Sequence, residues 1–301
     1  MKGVSLRHRL EYLSFRLLAQ VIVILPERLI FSFCAILGWL VGVVFRIRRS
    51  DVDGHLAIAF PRQSISWRNR IARKSYQHLA LEMAMTLRLS WMHPREVLKR
   101  TDIKGLEDFL EAVKEGNGVV ITSGHLGNWE VAGASLAARG VPIDVVAYRQ
   151  KNLLINRYFM ETRNRLGFSV ILKNEVFPLV SNSLSTGRVV AFVADQNVRR
   201  RGILVDFFGL PSANARGPAL FALRNKAPVF FATAVRIPGW PPRYELKIEK
   251  VLVSWNSPHE EAILNLTQCY TSILEQRIRE YPEQYLWQHR RWKKYSYQEP
   301  P

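Results

Sequence analysis

Between Gly105 and Val251, short apolar runs alternate with amphipathic stretches. Six runs have the length and the β-branched or aromatic content of strands: "GVVIT" (Gly118–Thr122), "IDVVAY" (Ile143–Tyr148), "FSVI" (Phe168–Ile171), "VVAFVA" (Val189–Ala194), "PVFFATAV" (Pro228–Val235) and "YELKIEKV" (Tyr244–Val251). Helical spacing fills Leu153–Leu166, Val176–Thr186, Gly217–Asn225 and Glu260–Glu280. Upstream, Ile71, Tyr76, Leu79, Met83 and Leu87 keep a helical period across Trp67–Met92, until "HPREV" breaks it. This order predicts an α/β fold, a mixed, largely parallel sheet flanked by helices.

The first fifty residues follow another pattern. Leu17–Phe45 is almost wholly apolar apart from "LPERL", and "LIFSFCAILGWLVGVVF" (Leu29–Phe45) runs 17 residues without a charge. That is the lower limit for crossing a bilayer and too long for an ordinary surface helix. Pro-Glu-Arg interrupts the region and no cleavage site follows, which argues against a removed signal peptide. The expectation is a membrane-anchoring N-terminal helical segment, 1–49, and a soluble-type domain, 50–301. Gly38 and Gly42 form a G-x-x-x-G, a weak hint of helix pairing.

Charge narrows the partners. With 43 Lys+Arg against 25 Asp+Glu, the net charge is +18, a field that favours nucleic acid, anionic lipid or an acidic protein. No zinc finger, RNP-like aromatic block or basic heptad helix supports nucleic acid, so none is expected. Cys34 and Cys269 stand apart and read as small buried hydrophobes, and the seven histidines lack ligand spacing. No metal or cofactor is expected.

Candidate chemistry centres on "SGHLGNWE" (Ser123–Glu130), which follows the strand "GVVIT". On a regular helix, residues five apart diverge by about 140°, so His125 and Glu130 meet only if the chain bends between them. Gly124 and Gly127 permit that bend, and Asn128 is a good helix N-cap. A carboxylate beside an imidazole fixes its tautomer and stabilises the imidazolium. By spacing alone, a solvated histidine and a first-turn glutamate favoured by the helix dipole fit equally well. Walker A, G-x-S-x-G, G-x-G-x-x-G and H-E-x-x-H motifs are missing.

H-x4-(D/E) at a strand end resembles the signature of glycerolipid-type acyltransferases. "GNGVVITSGHLGNWE", "VVAYRQKN" (Val145–Asn152), "ADQNVRRRGILVDFFGLPSANARGPALFALRNKAPV" (Ala194–Val229) and "PEQYLWQHRRWKK" (Pro282–Lys294) come in the same order as in the Kdo–lipid A lauroyl/myristoyl acyltransferase family, the late acyltransferases of lipid A biosynthesis. The resemblance implies an O-acyltransferase in which His125 is the general base and Glu130 orients it. It places Arg163 on a substrate phosphate and Asp195-Gln196 at the acceptor site, with Asn128 and Arg149 completing the substrate-binding set. It implies acyl carrier protein, or coenzyme A, as thioester donor, a lipid A precursor as acceptor, and an anionic membrane as partner. The setting would be the inner (cytoplasmic) membrane, with the catalytic domain on the cytoplasmic face. Phosphatidylinositol mannoside is the alternative acceptor; a basic membrane-surface binding protein is the non-enzymatic alternative. His55 and Asn214 depart from the family's usual asparagine and threonine. "FFG" (Phe207–Gly209) is expected to pack its loop, Arg199-Arg200-Arg201 either to attract anions or to be solvated, and "HRRWKK" (His289–Lys294) to lie on headgroups.

Overall fold

A computed structural model of the chain describes residues 5–198, 202–255 and 258–292. Its centre is a seven-stranded sheet whose strands lie largely where the apolar runs predict: β2 (Val119–Ser123), β3 (Ile143–Ala147), β4 (Ser169–Leu172), β5 (Val189–Val193), β8 (Val229–Ile237) and β9 (Arg243–Val251). The edge strand β1 (Thr101–Lys104) is too short and polar to stand out in the sequence. Strand order is β1-β9-β8-β2-β5-β3-β4, parallel except for the antiparallel β8–β9 pair. The mixed, largely parallel sheet is therefore the fold.

Helices α7 (Trp129–Ala137), α8 (Leu153–Arg165) and α9 (Val176–Ser185) make the crossovers that parallel neighbours require. Successive residues of the central strands enter opposite cores. Val120, Val190 and Phe231 pack with Ile263 and Leu266 of α11 (His259–Glu280). Ile121 and Phe230 pack with Met85 of α4 (Ile65–Leu89), Phe109 of α6 (Leu106–Lys114) and Val131 of α7. Both faces being covered explains why these strands read as continuous apolar runs.

A two-stranded hairpin, β6 (Ile203–Phe207) and β7 (Leu210–Asn214), escaped the sequence reading. Its turn residues, Phe208 and Gly209, have φ of 57° and 77°, the positive pair of a type I′ turn, with an unexpected phenylalanine in the first place. Phe207 and Phe208 are buried, as a loop-packing role requires. Cys34 is buried as expected, but Cys269 is exposed, because α11 turns Leu266 and Tyr270 inward and leaves Cys269 outside.

The N-terminal apolar region is two helices rather than one, α1 (Leu6–Ile24) and α2 (Glu27–Trp39), the latter continued by a π-helical turn over Leu40–Val44. Pro26 breaks them, and Glu27 is held by Arg88 at 3.2 Å and by Arg100 at 2.7 Å. Glu27–Val44 is long and apolar enough to cross a membrane. One side of it nevertheless packs on α4. A Cβ on Gly38 would lie 2.5 Å from the Tyr76 carbonyl oxygen, and one on Gly42 would lie 2.4 Å from the Tyr76 ring. The G-x-x-x-G thus serves packing within the chain. Leu29, Phe33, Ile36 and Leu37 of α2 are exposed, and so are Leu17 of α1 and Phe45.

Candidate functional site

Strands β2 and β5 run parallel with Ser123 opposite Val193, and Ala194 N–H continues the ladder to the Ser123 carbonyl at 3.0 Å. Two residues beyond that register come His125 and Asp195. Asp195 Oδ1 lies 2.5 Å from His125 Nδ1, and its Oδ2 accepts the His125 backbone N–H at 2.9 Å. The carboxylate that holds the imidazole is therefore Asp195. Glu130, expected in that place, has both oxygens on Arg163, whose Nε and Nη2 donate at 3.0 and 2.5 Å. The bend at Gly127 carries His125 toward the neighbouring strand instead of toward the helix that follows.

Asp195 is buried, which by itself raises its carboxyl pKa. The His125 charge and hydrogen bonds and the nearby Arg291 charge outweigh this, so the net shift is well below the usual carboxylate range. Tyr285 is buried near the same carboxylate, and burial followed by that charge pushes its phenol far up, keeping it neutral. With Nδ1–H donated to Asp195, His125 presents its Nε2 lone pair, beside which the Gln196 amide sits at 3.2 Å. The Trp129 ring meets the imidazole edge to face, centroids 4.6 Å apart.

The turn carrying His125 is fastened on several sides. Gly127 has φ of 65°, and a Cβ there would stand 1.9 Å from the Ala234 carbonyl oxygen, so glycine alone fits. Asn128 N–H donates to that oxygen at 2.8 Å. From the C-terminal segment, Leu286 N–H donates to the His125 carbonyl and the Gln284 carbonyl accepts from Gly127 N–H, both at 3.0 Å. A Cβ on Gly124 would stand 2.6 Å from Leu274 Cδ1 and 3.3 Å from Asp195 Oδ2.

The other predicted residues fall into place unevenly. Asn128 caps α7 as expected, its Oδ1 accepting Val131 N–H at 3.0 Å, but its Nδ2 is spent on Glu82 at 2.9 Å, leaving little for a substrate. Arg163 faces Glu130 with the forked edge that was expected to grip a phosphate. Arg149 is exposed beyond β3, between Tyr148 and Gln150, which line the cavity. Arg199–Arg201 lie outside the described residues, as do Lys293 and Lys294.

The rest of "HRRWKK" is largely structural. Arg291 is 1% exposed, donating to the Ala213 carbonyl at 3.2 Å and to Asn214 Oδ1, with its guanidinium 4.9 Å over Phe207. Arg290 is exposed and paired with Asp51 at 2.9 Å. The two departures from family pattern are buried: His55 Nδ1 bonds the Trp287 carbonyl at 2.9 Å, and Asn214 serves Arg291. Tyr285, Arg291 and Glu82 went unseen because their partners lie far off in sequence.

His125, Glu130, Arg163, Gln196 and Tyr285 form the polar wall of a cavity of about 1200 Å³. The remaining lining is mostly apolar, including Val145, Phe168 and Phe192 from the sheet region and Phe15 and Leu18 from α1. No cluster of potential metal ligands occurs among the described residues. A base oriented by a buried carboxylate, beside a long apolar hollow, suits proton removal from a hydroxyl on an amphiphile.

Comparison with known proteins identifies the family. Residues 4–294 match the family model described as bacterial lipid A biosynthesis acyltransferase. The phosphatidylinositol mannoside acyltransferase of Mycobacterium tuberculosis is 34% identical over 146 residues, 46% of each chain. With a similar match in Mycolicibacterium smegmatis covering 54% of that protein, the chain spans about half the length of these relatives. The lipid A biosynthesis palmitoleoyltransferase of Escherichia coli is 26% identical over 252 residues, 82% of this chain and 79% of that one. The lipid A biosynthesis lauroyltransferase of the same organism is 24% identical over 291 residues, 95% of this chain and 92% of that one. Matched over nearly its whole length, the chain belongs to the bacterial lipid A biosynthesis acyltransferase family.

Proposed function

We propose that this protein is a membrane-bound O-acyltransferase that moves a fatty acyl chain from an acyl thioester to a hydroxyl of a lipid A precursor. The observation that carries the reading is His125 on the wall of the apolar cavity, held by the buried Asp195. His125 Nε2 takes the proton of the acceptor hydroxyl while that oxygen attacks the thioester carbonyl. Asp195 holds the ring and balances the imidazolium that forms. Collapse of the tetrahedral intermediate expels the thiolate, and the imidazolium proton goes to it. No covalent acyl-enzyme is required.

Acyl carrier protein is the favoured donor, since its acidity complements the +18 charge of the chain. Residues 1–49 serve as the membrane-associated segment and 50–301 as the acyltransferase domain, at the cytoplasmic face of the inner membrane. Leu18 both lines the cavity and is exposed on the bare face of α1, which would let an acyl chain pass from bilayer to cavity without crossing water. The mycobacterial relatives make phosphatidylinositol mannoside the second acceptor to test. Purified protein incubated with labelled acyl-acyl carrier protein or acyl-coenzyme A and each acceptor should form labelled lipid A product, abolished by His125→Ala. Transfer to phosphatidylinositol mannoside alone would reassign the acceptor. No transfer from either thioester to any lipid would overturn the enzymatic reading.

A further inference from the structure

Beneath the His125 turn lies a carboxylate with no role in the chemistry above. Glu82 of α4 is 6% exposed and lines the cavity. Its Oε2 accepts Asn128 Nδ2–H at 2.9 Å and the Tyr244 hydroxyl at 2.7 Å. Its Oε1 is 3.7 Å from Arg236 Nη1 and 3.8 Å from His78 Nδ1. One turn earlier on the same helix, His78 lines the same cavity. Helix α4 therefore holds the residue that caps α7. A buried carboxylate is costly, and an apolar residue would fill the space at less expense to the fold.

We infer that Glu82 is a positioning residue for acyl transfer: through Asn128 it sets the turn that aims His125 and the first turn of α7 that bears Glu130. The geometry supports this directly. Asn128 is the hinge point, with its N–H on β8, its Oδ1 on Val131 and its Nδ2 on Glu82. Without the Glu82 carboxylate, Asn128 Nδ2 keeps only two longer contacts, to the residue 82 carbonyl at 3.3 Å and to Thr86 Oγ1 at 3.4 Å, and the cap and the turn are held less firmly. Displacement of a reacting group by about 1 Å lowers rate on the order of 10²-fold, so the effect should fall on kcat.

The inference rests on the transferase reading only where turnover is the readout, so two measurements are paired. In Glu82→Ala, kcat should fall by about 10²-fold with KM for donor and acceptor nearly unchanged. Glu82→Gln keeps an oxygen where Asn128 and Tyr244 donate and should retain most of the activity. Asn128→Asp sets two carboxylates face to face. That variant should lose turnover, because two carboxylates offer acceptors and no donor between them. The charged or titratable groups facing the pair are His78 from α4, Arg236 from β8 and Tyr244 from β9, with Arg100 and Glu283 nearby. The double variant Glu82→Gln/Asn128→Asp restores a donor–acceptor pair and should restore kcat near neutral pH.

Independently of activity, hydrogen–deuterium exchange should show the amides of Gly127, Asn128 and Val131 losing protection by about 10-fold in Glu82→Ala and keeping it in Glu82→Gln. Unchanged protection in a folded Glu82→Ala, or unchanged kcat, overturns the inference. If Glu82→Ala does not fold, failure of the folded double variant to regain turnover overturns it. A wild-type protein without transferase activity would remove the functional reading while the exchange result still decides the role of Glu82.

Discussion

Replacing Asp195 by asparagine tests the dyad at its most informative point, because the substitution is nearly isosteric and each orientation of the new amide fails differently. In one, the amide oxygen keeps the His125 backbone N–H that Oδ2 accepts at 2.9 Å, and the NH2 faces Nδ1. The ring then becomes the Nε2–H tautomer, and the base has lost its lone pair toward the substrate. In the other, the oxygen accepts from Nδ1–H, but the NH2 confronts the backbone N–H, leaving a buried donor unpaired at a cost of about 1–3 kcal/mol. The inactive orientation is thus favoured about 5- to 150-fold. Even the competent fraction lacks the charge that stabilises the imidazolium, worth about 1.5–3 kcal/mol as a charged hydrogen bond and a further factor of about 10–10². Together these give a loss of roughly 10²–10⁴ in kcat, the range of a misaligned general base. Single-turnover transfer of a labelled acyl group, with folding checked by thermal unfolding, measures it. A folded Asp195→Asn retaining more than about a tenth of wild-type turnover would refute the assignment of Asp195 as the orienting carboxylate.

Glu130 and Arg163 should behave as one unit: in a double-mutant cycle with Glu130→Gln and Arg163→Lys, coupling of about 1–3 kcal/mol in transition-state stabilisation is expected, and strict additivity would contradict the paired geometry. The bare N-terminal face should bind lipid, so Leu17→Glu with Ile36→Glu, at sites 64% and 58% exposed, is expected to release protein from anionic vesicles without lowering Tm. Unchanged, salt-resistant binding would remove that face from consideration. Burial, assisted by Arg236, lowers the His78 pKa from its ordinary 6.5 despite the opposing pull of Glu82. The unfolded chain therefore takes up this proton first, and stability should fall as pH drops from about 6.5 toward the lower folded-state value. His78→Gln should flatten the slope of Tm between pH 7.5 and 5.5; an identical slope would place the titration elsewhere, His55 being shifted the same way by burial.

Legibility in the sequence followed physical range. Strands β2, β5 and β8 are covered on both faces, so their apolar runs announced them, whereas β1 is set by its pairing with β9 and the β6–β7 hairpin by an irregular turn. His125 was visible because local residues make its turn: a strand before it, Gly127 within it, and the Asn128 cap after it. Its partner was not, because proximity to Asp195 follows from strand register across 70 residues. "ADQ" at a strand end did mark Asp195 as a site residue, but the role went to Glu130, which lies near in sequence and faces Arg163 in space.

The fastening of the His125 turn by Gln284 and Leu286 has a consequence for how the protein is made. Every strand of the sheet is complete once the ribosome has passed Val251, yet the residues that bolt the turn, and the Arg291 whose charge helps hold Asp195 ionised, arrive some 30 to 40 positions later. A chain released early can hold an assembled sheet and an open hollow without a fixed base. The turn that carries His125 is thereby tied to completion of synthesis.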